Sequence, residues 1–278
     1  MDSINEILAD PQNLLIAFTL TLLAGLATGI GSAIAFFAKR TNTKFLSVSL
    51  GFSAGVMIYI SFVEIFFKAQ EILAADMGQR PGYLVTVVAF FSGMILIAVI
   101  DKLVPAFENP HELKKVEQLK LTDEEIKRSR LYRMGLMSAF AIAIHNFPEG
   151  LATFLAALQD IKLGLPIAIA IAIHNIPEGI AISVPIYHAT GSRKKAFKYS
   201  FLSGLAEPVG AVVGFLILLP FMSDVVFGFL FASVAGIMVF ISIDNLLPAA
   251  REYGEPHLSL YGLMGGMAVM ALSLVFFM

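Results

Sequence analysis

The chain has 278 residues, a net charge of -2, 58% hydrophobic and 14% charged residues, and a mean hydropathy of +0.81. A soluble domain carries roughly a quarter of its residues as charged side chains, so this composition excludes an ordinary globular protein and points to a polytopic membrane protein. With no cysteine in the chain, disulfides and thiolate metal ligands are excluded too.

Eight apolar runs follow one another near 12–38, 44–67, 82–104, 132–158, 163–187, 197–220, 225–249 and 258–277. About 20 apolar residues cross a hydrocarbon core roughly 30 Å thick. Water is absent at that depth, so each backbone donor and acceptor must be satisfied within its own segment, and each run is expected to be a helix. The expected fold is all-α, one eight-span domain over 1–278 embedded in the lipid bilayer. Ahead of span one, Asp2, Glu6 and Asp10 stand without a base, the reverse of a secretory leader, so that span is expected to be retained. Between spans three and four, residues 105–131 are rich in Lys and Glu and read as a cytoplasmic loop. Thr122 is placed there to cap a helix ahead of Glu125.

Basic residues are divided unevenly between the two sides. One side collects 16 Lys and Arg, at 39–44, 102–133, 193–198 and 251, against Lys68, Arg80 and Lys162 on the other. Positive charge marks cytoplasmic loops, so both termini are expected outside a bacterial-type plasma membrane. No nucleic-acid partner is expected.

Spans four and five carry an internal repeat. Residues 141–152 read AIAIHNFPEGLA and 170–181 read AIAIHNIPEGIA, ten identities in twelve positions. The two spans run in opposite directions, and about the turn between them His145 lies as far out as Glu178, and Glu149 as far out as His174. Both motifs are therefore expected at one depth near the midplane, related by inverted pseudo-symmetry. Within each motif His and Glu are four residues apart and project from one helical face. Pro148 and Pro177 lack the N–H that would bond the carbonyls of Ile144 and Ile173. Asn146 and Asn175 can offer carbonyl oxygens to an adjacent position.

Glu64 in span two and Glu207 in span six bring the intramembrane glutamates to four, with no Lys or Arg in the body of any span. One such charge costs about 2.5–3.5 kcal/mol on insertion scales, so protons or metal cations must balance them. Imidazole with carboxylate suits zinc, iron, manganese and their neighbours better than calcium or magnesium. Asp101 and Asp244, near expected cytoplasmic ends, read as capping or paired groups, with a metal exit route as the alternative.

With HNFPEG and HNIPEG in adjacent spans, GFSAGVMIYISFVEIF at 51–66 and SGLAEPVGA at 203–211, the chain resembles the ZIP metal-ion transporters, most closely their bacterial zinc-uptake branch. The resemblance implies one metal position at His145, Glu149, His174 and Glu178, with Met57 nearby. It implies a second at Asn146, Asn175 and Glu207, bridged by Glu149 and Glu178, with Glu64 close to the pathway. It further implies that spans one, four, five and six move as a bundle against spans two, three, seven and eight, often in dimers. The cargo would be zinc first, with iron, manganese, cobalt and cadmium also carried, and no catalytic cofactor. The residues leave two other classes to compare: a membrane-embedded zinc hydrolase, which would place two His at i and i+4 with an adjacent Glu, and a cation channel with the same lining.

Overall fold

The computed structural model describes residues 10–37, 43–103, 123–221, 223–253 and 256–277, and all regular structure among them is helical. In chain order the helices are α1 (Pro11–Phe37), α2 (Thr43–Ile60), α3 (Phe66–Met77), α4 (Gln79–Leu103), α5 (Asp123–Gln159), α6 (Ile161–Thr190), α7 (Arg193–Gly204), α8 (Ala206–Leu218), α9 (Asp224–Ile241), α10 (Leu247–Tyr253) and α11 (Pro256–Phe277). Seven stretches among the described residues are long and apolar enough to cross a membrane. The further run expected at 132–158 lies inside α5, the longest helix at 37 residues.

Local chemistry explains the turns. Asp160, in extended backbone, accepts from the Lys162 N–H at 2.9 Å and caps α6, so α5 and α6 form a hairpin joined by that one residue. Gly191 closes α6 at φ +66°, a left-handed conformation that favours glycine, and Ser192 then caps α7. Ser223 caps α9 in the same way.

Three features differ from the sequence expectation. A helix does begin at Asp123, one residue after the expected cap Thr122, but it runs on without a break into span four and is not a separate loop helix. DEEIKRSRLYR holds no Gly or Pro, and a helix nucleated by the apolar run propagates back through good helix formers. Thr122 and the rest of that loop lie outside the described residues. Span six is interrupted at Leu205, between α7 and α8, where Pro208 cannot donate to the Gly204 carbonyl.

Third, spans two and seven each contain one π-helical turn, Ser61–Ile65 and Ser242–Leu246. At each, the serine hydroxyl bonds the carbonyl four residues back, Ser61 to Met57 at 2.6 Å and Ser242 to Met238 at 2.7 Å. A hydroxyl that engages this carbonyl competes with the backbone N–H and favours the wider turn. The same Met-x-x-Ile-Ser string, at 57–61 and 238–242, precedes both.

Glycines set how closely the helices approach. Gly31 packs on the Ile176 backbone, Gly179 on Thr28 and Gly150 on Glu207, joining α1, α5, α6 and α7–α8. Gly55 packs on Leu263, Gly93 on Ser233 and Gly266 on Phe52, joining α2, α4, α9 and α11. Each close approach recorded for the described glycines stays within one of these two sets of helices, α3 counting with the second. Small residues let backbones touch, and the resulting van der Waals packing holds helices together where lipid supplies no hydrophobic drive. A polar contact reinforces the second set: the buried Ser47 hydroxyl donates to the Ala250 carbonyl at 2.6 Å, tying α2 to α10. Ser47→Ala is expected to cost about 1 kcal/mol, the net worth of one such bond, seen as a lower melting temperature in detergent.

Candidate metal-binding site

α5 and α6 bring the two repeated motifs face to face. Glu149 lies ten residues before the end of α5 at Gln159, about 15 Å along the axis at 1.5 Å per residue, or half a hydrocarbon core. The motifs cross-pair: His145 Nε2 lies 3.3 Å from Glu178 Oε1, and His174 Nε2 lies 3.3 Å from Glu149 Oε2. All four side chains are buried. The helices are antiparallel and their motifs equidistant from the hairpin, so each His meets the Glu of the other helix.

Among the described residues, no three His, Asp or Glu converge as a ready-made metal cage. The four groups meet as two His–Glu pairs instead, and of the two the His174–Glu149 contact closes a hydrogen bond while both Glu178 carboxylate oxygens stay without one.

A second polar group lies beside the first. Asn175 donates through Nδ2 to Glu207 Oε1 and, at 2.8 Å, to the Ala24 carbonyl of α1. Asn146 Nδ2 donates to the Ser203 carbonyl of α7 at 3.2 Å. With both amide nitrogens committed, their oxygens are turned elsewhere. Asn146 Oδ1, Asn175 Oδ1, Glu149 Oε1 and Glu207 Oε2 are buried without a hydrogen-bond partner in the structure. Buried acceptors are ordinarily satisfied, and a group of acceptors alone is what an electrophile requires. Gly150 seats this half of the site, since it lies against the Glu207 backbone and lets α8 approach α5.

Other expected residues are placed differently. Met57 is fully buried in the apolar core, one turn along α2 from Ser53 on the same face. Ser53 was not singled out from the sequence, yet its buried hydroxyl donates to the His174 carbonyl at 3.3 Å. Glu64 sits half-buried in the first π-turn, eleven residues and about 16 Å along the helix from Ser53, so it is not gathered with the four paired His and Glu side chains. Asp244 sits exposed in the second π-turn. The side chain of Asp101 lies outside the described residues.

Residues 104–274 match the family described as ZIP Zinc transporter. The chain is 65% identical to a "Zinc transporter ZupT" of Oceanobacillus iheyensis, over 95% of this chain and 98% of that one. Identity is also 65% to a protein of that name from Lysinibacillus sphaericus, with the same coverage, and 63% to one from Streptococcus mutans, over 96% of this chain and 99% of that one.

Proposed function

Because the chain belongs to the ZIP zinc transporter family, we propose that it takes up zinc across the plasma membrane as a multi-pass carrier. It is a transporter and not an enzyme, which sets the hydrolase reading aside. The observation that carries the metal site is the cross-pairing of buried His145 with Glu178 and His174 with Glu149, on stretches of α5 and α6 (134–159 and 163–190) that hold no Lys or Arg.

In this reading a zinc ion displaces the two His–Glu contacts and is held by His145, Glu149, His174 and Glu178, with the Met57 thioether on the facing helix. The unpartnered oxygens of Asn146, Asn175 and Glu207 form a second position, which Glu149 and Glu178 bridge. Ligands of imidazole and carboxylate without thiolate bind a divalent ion reversibly, as a carrier requires. The same donor set admits iron, manganese, cobalt and cadmium. Glu64, on the outer side of the site by the charge asymmetry, attracts the arriving cation.

The movement proposed is of α1, α5, α6, α7 and α8 as one bundle against α2, α3, α4, α9, α10 and α11, with the cytoplasmic connection ending where α5 begins at Asp123. The confinement of close glycine contacts to within each set supports it, because backbones interlocked across the boundary would resist sliding. The recurrence of a serine-bonded π-turn in spans two and seven supports an inverted relation between the chain's two ends. Both termini outside follows from the basic loops, and pairing of two copies in the bilayer rests on the family resemblance alone.

The test is uptake into liposomes containing the purified chain and a zinc-sensitive dye. Saturable zinc entry is expected, slowed by excess cadmium, cobalt, manganese or iron(II) and unaffected by magnesium. Zinc-dependent single-channel conductance in a planar bilayer would instead establish the channel reading.

A further inference from the structure

We infer that Ser53 is a positioning residue of the transport cycle: its hydroxyl, carried on the facing set of helices, grips the ligand-bearing α6 and has to release it in each passage. The inference rests on the bundle movement proposed above. Ser53 is fully buried on α2, and its Oγ donates to the backbone carbonyl of His174, a proposed metal ligand, at 3.3 Å.

Other buried hydroxyls do a different job. Ser200 bonds the carbonyls of Thr28 and Gly179, and Ser32 that of Gly179, all within the α1, α5, α6 and α7–α8 set. Ser47 bonds Ala250 within the other set. The Ser53 bond runs from one set to the other, across a boundary that none of the recorded glycine close approaches spans. α2 and α6 therefore meet there without backbone interlock, through side-chain packing and a hydroxyl. A single hydrogen bond shifts an equilibrium by a factor of roughly 3 to 10, enough to favour one arrangement without locking it. Ser49 lies one turn, about 6 Å, before Ser53 on the same face of α2. A one-turn displacement of α6 toward the start of α2 would pass the His174 carbonyl from one hydroxyl to the other.

The experiment compares zinc uptake by the parent chain with Ser53→Ala, Ser53→Gly and Ser53→Thr, each normalised to protein in the liposome, alongside equilibrium zinc binding. Loss of the hydroxyl removes a bond that must break before the bundle moves. Ser53→Ala is expected to raise the maximal uptake rate about threefold or more, with zinc affinity within twofold of the parent. Ser53→Gly, which adds no bulk, is expected to do the same, and Ser53→Thr, which keeps the hydroxyl, to match the parent. Unchanged rates in both hydroxyl-free variants would overturn the inference, as would weakened zinc binding with a lower rate. Absence of uptake by the parent itself would defeat the transport reading, whereas parental uptake with an indifferent Ser53→Ala defeats only this one.

Discussion

Glu149→Ala and Glu149→Gln are both expected to reduce zinc uptake at least a hundredfold while leaving the protein folded. Changing a partner that merely supports a metal ligand typically costs 10–100-fold in affinity, so loss of a direct ligand should cost no less. Glu149 is asked to do more than one thing. It pairs with His174 Nε2 at 3.3 Å through one carboxylate oxygen, and its other oxygen is among the unpartnered acceptors of the adjoining position. Alanine removes both contacts, and glutamine keeps the shape but loses the charge that neutralises a divalent cation. Stability should move the other way. A buried carboxylate in a low-dielectric span is costly, so Glu149→Gln is expected to melt no lower than the parent in detergent. The Thr153 hydroxyl bonds the Glu149 backbone carbonyl and not its carboxylate, so that local contact survives both substitutions. Uptake above half the parental rate in Glu149→Gln would remove the residue from the site.

The centre of this site was legible in the sequence for a geometric reason. Two copies of one motif, equidistant from a short turn and on antiparallel helices, can only meet with His opposite Glu. The structure shows His145 against Glu178 and His174 against Glu149. Glu207 was legible as an uncompensated acid, and its contact with Asn175 places it beside the motifs. Ser53 was not legible, because serine in an apolar helix most often bonds its own carbonyl four residues back, as Ser61 and Ser242 do. What separates Ser53 from them is which helix it faces, a tertiary fact without local pattern. The π-turns did leave a trace in the repeated Met-x-x-Ile-Ser string, but its two copies share only three residues in five and fall 181 positions apart. Glu64 is the converse case: the cost of its charge singles it out, while its position along the helix relative to the paired His and Glu side chains is supplied by the structure.

Gly150→Ala is expected to damage both stability and transport, although it adds one methyl group and removes no ligand. A Cβ at this position would overlap the carbonyl oxygen, carbonyl carbon and Cα of Glu207. These are backbone atoms, so no side-chain rotation can relieve the clash, and α8 has to move away from α5. Overpacking of this kind costs about 1–3 kcal/mol, which should appear as a lower melting temperature. The displacement also pulls Glu207 from the Asn175 amide that fixes it, so uptake should fall about tenfold or more with His145, Glu149, His174 and Glu178 untouched. Gly265→Ala on α11 supplies the contrast. Its Cβ would meet nothing closer than Phe52 Cδ2 at 4.0 Å, and alanine favours a helix over glycine by about 1 kcal/mol. That variant should transport normally and melt at or above the parental temperature. The closing glycine of HNFPEG thus acts at a distance from the cation, by setting how near α8 may bring its carboxylate. Normal uptake by Gly150→Ala would mean that this contact is compliant and that Glu207 is held by other means.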